Sequence, residues 1–176
     1  MDREELLRRY ATGERYFNGI DLSGIDLSGI DLSGIDLRFA NLETTNLSRT
    51  ILSGSYMERT NINNTILIEA NLQDSFIEGI LNSDLRRANL DRIRMFNGPI
   101  RNCNMEGTSL RNADLSNVGI ESINLRNANL TGTKGEFFMK DVDLTGAIGF
   151  DLKNVGAGYW NLTLLNGAFV TDWDTE

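Results

Sequence analysis

Four aspartates spaced five residues apart, Asp21, Asp26, Asp31 and Asp36, are the first residues whose type and spacing could do chemistry. Two carboxylates that converge on one substrate can act as general acid and base, and clustered carboxylates can bind a metal ion. The chain of 176 residues contains no histidine and a single cysteine, Cys103. It therefore has no Ser-His-Asp or Cys-His catalytic pair, no internal disulfide and no cysteine-based zinc site.

The clustered arginines of residues 86–94 are the second candidate, because arginines in one patch can contact phosphates. Residues 86–130 carry seven arginines against four acidic residues, whereas residues 17–85 carry ten acidic residues against three arginines. The net charge of the chain is −8 and its isoelectric point is near 4.6. Because an acidic protein is repelled by the phosphate backbone, direct nucleic-acid binding is not expected.

A repeat with a period of five residues determines which elements position these groups. Every fifth residue is apolar from Phe17 to Ile77 and, after a phase shift of three residues, again from Leu85 to Leu130. We call these apolar residues the unit centres. A helix would spread them around its circumference, and a straight strand would point them alternately to opposite faces. A chain that turns a corner in every unit keeps them all inward, so the pattern predicts a parallel β-solenoid.

The charged residues that follow the unit centres indicate how many units make one coil. A coil of four units places Asp91 beside Arg111 and Arg101 beside Glu121, whereas a coil of three units would place Arg111 beside Arg126. Like charges on neighbouring strands are unfavourable. Four units per coil are therefore predicted, with charges of opposite sign stacked in ladders.

The phase shift is interpreted as an insertion, with residues 78–85 forming one unit that carries three extra residues. On this interpretation Glu69 lies between Arg49 and Arg92 in one ladder. The four-unit coil by itself places Arg38 beside Glu58. The four aspartates fall on four different sides of the first coil, so they do not converge. Neither catalysis nor metal binding is expected from them, no cofactor is expected, and the chain is predicted not to be an enzyme.

The repeats resemble those of the pentapeptide-repeat family, whose consensus is A(D/N)LXX, and the opening segment is similar to that of cyanobacterial members. The resemblance rests on IDLSG IDLSG IDLSG IDLRF ANLET TNLSR, on RRANLDR and on RNADLSN. It covers residues 15–130 closely and extends loosely to about residue 170. It implies an all-β solenoid, a right-handed quadrilateral parallel β-helix of about seven coils, roughly 35 Å long at ~4.8 Å per coil.

Three segments are predicted along the chain. Residues 1–14 form an N-terminal helical cap, with a helix over 2–11 whose first turn Asp2 caps. The β-helix follows over residues 15–170, with breaks near 78–85, 131–138 and 145–151, and residues 171–176 form a C-terminal tail.

The far end of the β-helix is less regular in sequence. Residues 131–141 are expected to form a bulge or loop. The remaining unit centres are predicted to be Met139, Leu144, Leu152 and Leu162, and the end is expected to be closed by Phe169, Val170 and Trp173.

Six outward positions break the polar pattern and are candidate contacts with a partner protein: Phe39, Ile51, Tyr56, Ile66, Ile68 and Phe76. Exposed apolar clusters mark protein contacts. The alternative is that the aromatic residues cover one another by stacking from coil to coil. Cys103 takes a small inward position and is expected to be a buried structural thiol.

The expected function is that of a non-enzymatic structural or protein-interaction scaffold in the cytoplasm. Its partner is expected to be a protein of unknown identity, and the chain is expected to be a monomer or to self-associate weakly. No apolar run approaches the ~20 residues that span a membrane. The family resemblance also implies an alternative, a DNA mimic that binds a type II topoisomerase such as gyrase, which the acidic residues 17–85 favour and the basic residues 86–130 disfavour.

Overall fold

The structure is a computed structural model that describes residues 1–150 and 158–170. Helix α1 spans Arg3–Ala11, and short strands joined by turns follow it. The strands are β1 (Tyr56–Met57), β2 (Phe76–Ile77), β3 (Ile80–Leu81), β4 (Arg94–Met95), β5 (Pro99–Arg101), β6 (Gly119–Asn124), β7 (Phe138–Asp143), β8 (Gly158–Thr163) and β9 (Phe169–Val170).

Helix α1 lies against the first coil. The carboxylate of Asp2 accepts a hydrogen bond from the backbone N–H of Glu5 (2.8 Å), which satisfies one of the free donors of the first turn. Leu6 is fully buried in the core. The hydroxyl of Tyr10 donates to the carbonyl of Ser33 (2.8 Å), so the helix is joined to the coil by both apolar and polar contacts.

The strands and single bridges stack one coil upon the next. Strands β1, β2 and β4 form one parallel sheet; β3, β5, β6, β7 and β8 form a second parallel sheet, to which β9 adds antiparallel. In the N-terminal half, single bridges join positions 20 apart in sequence, such as Asp21 with Asn41 and Asn41 with Asn61. Four five-residue units therefore make one turn of a parallel β-solenoid.

The phase shift after Ile77 is a deletion of two residues, and the predicted insertion at residues 78–85 is wrong. Strand β2 pairs with β4 in a register that places Phe76 beside Arg94, two positions short of a full four-unit step. Ile80 is fully buried and serves as an additional unit centre only three residues after Ile77. The corner between these two centres is therefore shorter than the others by two residues.

The shortened corner brings two backbones close together at Gly98. A Cβ atom on Gly98 would lie 1.2 Å from the carbonyl oxygen of Glu78. No side chain can be accommodated at that distance, so the deletion requires glycine at this position.

The last coils keep the repeat more closely than expected. The predicted bulge over residues 131–141 is wrong in its second half, because β7 pairs in parallel with β6, with Met139 beside Ile120, one position short of a full step. Met139 and Leu144 are buried, as predicted for unit centres. Leu162 is also buried, but it pairs with Val142, two residues before a centre, so the predicted centre is displaced.

The expected closure of the far end is only partly described. Phe169 is 62% exposed and pairs antiparallel with Thr163, so it does not cover the core. Leu152 and Trp173 lie outside the described residues.

The unit centres form a continuous core inside the solenoid, with leucines such as Leu22 and Leu52 fully buried. The buried residues two positions earlier include threonines, whose hydroxyls donate to carbonyls of the preceding coil, as Thr50 does to Leu27 (2.7 Å). Because these polar groups are paired, the core carries threonine without the cost of an unsatisfied hydroxyl.

Stacked amides explain the many asparagines. The amide of Asn61 donates to the side-chain oxygen of Asn41 (3.0 Å), and that of Asn41 donates to Asp21 (3.1 Å). An asparagine in the middle of such a ladder must both donate and accept, whereas the first member only accepts. Aspartate in the first coil and asparagine above it fit this requirement.

Candidate interaction surface

The four aspartates of the first coil lie in four separate columns, bridged to Asn41, Asn46, Ile51 and Tyr56. Each carboxylate closes its own turn; that of Asp31, for example, accepts from the N–H (2.9 Å) and hydroxyl (2.5 Å) of Ser33. These hydrogen bonds lower the pKa of Asp31. Within residues 1–150 and 158–170, no group of histidine, cysteine, aspartate or glutamate side chains is arranged to hold a metal ion.

Cys103 is buried, as predicted. Its Sγ lies 3.5 Å from the carbonyl oxygen of Ile80 and 3.1 Å from that of Arg101. Burial raises the pKa of the thiol to about 11. The thiol is therefore protonated at neutral pH, which makes it a poor nucleophile.

The charge ladders form where the full four-unit step holds. The predicted pairs Asp91–Arg111 (2.5 Å) and Arg101–Glu121 (3.2 Å) are both confirmed. Arg49 pairs with Glu69, also as predicted.

Other pairs differ from the prediction. Because the shortened corner reduces the step by two positions, Glu69 meets Arg87, and Arg92 binds Asp74 instead. Arg38 lies near Glu58 of the next coil, as predicted, but it forms its ion pair with Asp36 of its own coil. The outcome is still a surface on which acidic and basic side chains alternate.

One column of the solenoid carries aromatic residues on its outer side. It contains, in register, Tyr16, Asp36, Tyr56, Phe76, Arg94, Asp114 and Lys134. The rings of Tyr56 and Phe76 are stacked, with their centroids 5.2 Å apart and their planes 8° from parallel. Tyr56 remains 42% exposed, so the stacking covers its ring only in part.

Arginines lie over the rings of this column and its neighbours. The guanidinium carbon of Arg38 is 5.9 Å from the ring centroid of Tyr56, and that of Arg94 is 5.1 Å from Phe76. The guanidinium of Arg59 lies 5.7 Å from the ring of Phe39. Distances below about 6 Å give favourable cation–π interactions. We call this surface the aromatic face; it comprises Tyr16, Arg38, Phe39, Tyr56, Arg59, Phe76, Arg94 and Phe96.

A groove of about 550 Å³ opens on the aromatic face. One part of its lining is apolar, from Phe76, Ile93 and Phe96. Another part is charged, from Arg94, Asp114 and Lys134 and from the ion pair of Asp74 with Arg92. Such a groove can hold an apolar side chain while a neighbouring polar group meets the charges.

The six predicted contact residues separate into two groups. Tyr56 and Phe76 stack in one column, and Phe39 lies three residues after Asp36 of the same column, with Arg59 over its ring. Ile51 and Ile66 belong to two other columns, where they are 38% and 41% exposed. Ile68 is half-buried and follows the same unit centre that Ile66 precedes.

Two aromatic residues of the face were missed by the sequence prediction. Tyr16 is 76% exposed, and carrying the column one coil back from Asp36 would have found it. Phe96 is 42% exposed, and it follows Met95, the centre that the shortened step places above Ile77. The predicted insertion at residues 78–85 would place Ile100 above Ile77 in place of Met95, so it conceals the position of Phe96 beside Phe76.

The backbone at Phe39 is unusual for an aromatic residue. Its φ is +63°, in the left-handed region. The equivalent residue of the preceding coil is Gly19, which has φ +67°. A side chain in this region costs about 1–2 kcal/mol. Phe39 is also 57% exposed, so little burial offsets this cost.

Comparison with known proteins identifies the repeat. A family model for pentapeptide repeats matches the chain in eight copies, over residues 16–54, 40–79 and 100–132, which is more than half of its length. The chain belongs to the pentapeptide-repeat family. No curated protein matches the chain significantly.

Solved structures of pentapeptide-repeat proteins are similar to this chain. HetL, involved in heterocyst differentiation regulation in the cyanobacterium Nostoc sp. strain PCC 7120, is 21% identical, with 97% of this chain and 100% of HetL covered at a TM-score of 0.54. Alr5209 of the same strain is 27% identical, with 90% of this chain and 95% of alr5209 covered at a TM-score of 0.35. QnrB1, a plasmid-mediated fluoroquinolone resistance protein, is 16% identical, with 81% of this chain and 90% of QnrB1 covered at a TM-score of 0.40.

The likeness to HetL shows the parallel β-solenoid fold alone. In the part of the chain that the structure describes, no helix is long and apolar enough to cross a membrane.

Proposed function

We propose that this pentapeptide-repeat protein is a non-enzymatic scaffold that binds another protein through its aromatic face. The observation that carries this proposal is the exposed stack of Tyr56 on Phe76, with arginines over both rings. Tyrosine, phenylalanine and arginine are the residues enriched at protein interfaces, and tyrosine and arginine contribute much of their binding energy. A solenoid holds such side chains at fixed spacing, so little conformational entropy is lost on binding.

The finer architecture belongs to the same proposal. We propose a right-handed quadrilateral β-helix of about seven coils, with helix α1 as the cap over the first coil. The four-unit step and the column that runs from Tyr16 to Lys134 with seven members support it. The burial of Leu6 supports the role of the helix as a cap.

We further propose Ile51, Ile66 and Ile68 as a lesser contact on the neighbouring columns. The exposure of Ile51 and Ile66 supports this. They stand singly, however, and single exposed apolar residues are common on any protein surface. The aromatic face therefore forms the centre of the proposed contact.

The arrangement of charges favours the scaffold over a DNA mimic. Mimicry of DNA needs rows of carboxylates that are free to replace phosphates. The carboxylates of Asp36, Asp84 and Asp91 instead bind Arg38, Arg86 and Arg111. Such pairs cancel much of the acidic field that a DNA-binding partner would recognise.

Affinity capture from a lysate of the source organism tests the proposal. The wild-type protein should capture a defined partner, or associate with itself, and the Tyr56→Ser, Phe76→Ser double variant should not. Ile148→Ser is the matched control, because it removes an exposed apolar side chain that lies in a different column and outside the proposed contact. Thermal unfolding measured by circular dichroism verifies that all variants are folded. Unchanged captured proteins and an unchanged oligomeric state in the double variant would contradict the proposal.

A further inference from the structure

The arginines that follow Tyr16 in the solenoid fall into two groups. Eight lie within ion-pair distance of a carboxylate: Arg38, Arg49, Arg86, Arg87, Arg92, Arg101, Arg111 and Arg126. Among residues 16–150 and 158–170, Arg59 and Arg94 have no carboxylate at that distance. Both of them belong to the aromatic face.

The two arginines without a carboxylate are held in place by aromatic rings. Arg59 lies over Phe39 and Arg94 lies over Phe76. A guanidinium group that stacks on a ring keeps the N–H donors of its edge free, and these donors match a carboxylate in a bidentate pair. The aromatic face therefore presents two oriented guanidinium groups, those of Arg59 and Arg94. Within the described residues after Tyr16, the other arginines are already paired with carboxylates.

The surroundings of Arg94 add an apolar site beside a charged one. Phe76 and Phe96 line the groove next to Arg94, and Lys134 lies two coils further along the same column. An extended peptide points every second side chain to the same side, about 6.6 Å apart, so side chains at positions i and i+2 can offer an apolar group and a carboxylate to adjacent sites.

We propose that the aromatic face binds an acidic segment of a partner protein, with carboxylates on Arg59 and Arg94 and apolar side chains against the rings. This inference rests on the proposed scaffold function and specifies the chemistry of its partner. Single-stranded nucleic acid also binds surfaces of aromatic residues and arginine. The same column carries Asp36 and Asp114, which oppose a continuous chain of phosphates but leave room for discrete carboxylates.

Selection from a phage-displayed library of random peptides tests the inference. The full-length protein should enrich peptides that combine aspartate or glutamate with apolar residues. A synthetic peptide from this set should bind about tenfold more weakly, or worse, to Arg59→Ala and to Arg94→Ala, since each loses a charged hydrogen-bonded pair. Arg49→Ala, in which the lost arginine is already paired with Glu69, should bind like the wild type. Added salt should weaken wild-type binding.

The inference would be overturned by enrichment of uncharged or basic peptides, by unchanged affinity in both arginine variants, or by binding of a thymidine oligonucleotide that those variants abolish. Uncharged peptides that bind the wild type but not the Tyr56→Ser, Phe76→Ser variant would defeat the inference and leave the proposed function standing. Enrichment of no peptide at all would overturn the inference, and the capture experiment would then decide the proposed function separately.

Discussion

Replacement of Phe39 by glycine and by alanine should give stabilities in an unusual order. Phe39 has φ +63°, which glycine adopts freely and alanine does not. Both variants lose the interaction of the ring with Arg59, whose guanidinium lies 5.7 Å from the ring centroid. The difference between the two variants therefore reports the backbone conformation alone.

The size of the difference follows from two opposing terms. Relief of the left-handed conformation favours glycine by about 1–2 kcal/mol. The greater freedom of glycine in the unfolded chain favours alanine by about 0.5–1 kcal/mol. At the midpoints of the two terms, Phe39→Gly should be more stable than Phe39→Ala by about 0.75 kcal/mol, or about 1.5–3 °C in melting temperature for a chain of this length.

Thermal unfolding followed by circular dichroism measures this difference. The neighbouring residue Arg38 provides the matched control, because it is not among the residues with positive φ and both of its variants lose the same ion pair with Asp36. There the ordinary order should hold, with Arg38→Gly less stable than Arg38→Ala. A Phe39→Ala variant as stable as Phe39→Gly would refute the reasoning. Peptide binding should fall equally in both Phe39 variants, since the proposed contact needs the ring.

Two further predictions concern the shortened corner and the first coil. Gly98→Ala should destabilise the fold by about 3 kcal/mol in urea unfolding, because its Cβ would meet the Glu78 carbonyl. Gly119→Ala is the control: the space around its Cβ is open, so stability should change by less than about 0.5 kcal/mol. Equal effects of the two substitutions would contradict this account. Hydrogen bonds from Arg38 lower the pKa of Asp36, so its carboxylate should stabilise the fold at neutral pH, and the advantage of the wild type over Asp36→Asn should disappear as the pH falls below about 4. An advantage that is constant from pH 7 to pH 2 would exclude this role.

The period of the repeat could be predicted from sequence because it is imposed by the backbone. Every unit must turn a corner and bury one residue, so the positions of Leu22, Leu52 and Leu90 follow from spacing alone, and all three are fully buried. The same spacing places Tyr56 beside Phe76, where the structure also has it.

The ion pairs were harder to predict because their energies are similar. An exposed pair contributes about 0–1 kcal/mol, so small differences in local geometry decide between two available carboxylates. Arg38 had both Asp36 and Glu58 within reach of its flexible side chain, and it binds the buried Asp36. Stacking rules identify the candidates for such pairs but do not choose among them.

The direction of the phase shift could not be obtained from the spacing. An insertion of three residues and a deletion of two give the same phase in a five-residue repeat. The two alternatives differ only in whether Ile80 is a unit centre, and an apolar residue at that position is compatible with both. Close contact of the Gly98 backbone with Glu78 reveals the deletion, and this contact appears only in three dimensions.

The use of Ile80 as a unit centre also assembles the candidate site. An insertion of three residues would lengthen the coil, and Phe76 would then lie beside Pro99. The shortened step instead places Arg94 next to Phe76 and carries Phe96 to the same groove. Because Ile80 counts as a unit centre, Met95 is the fourth centre after Ile77, and Arg94 therefore lies over the ring of Phe76. A variant that lost residues 80–84, one whole unit, would keep the period of the apolar core but place Pro99 beside Phe76 in place of Arg94. It should therefore lose the proposed acidic-peptide site.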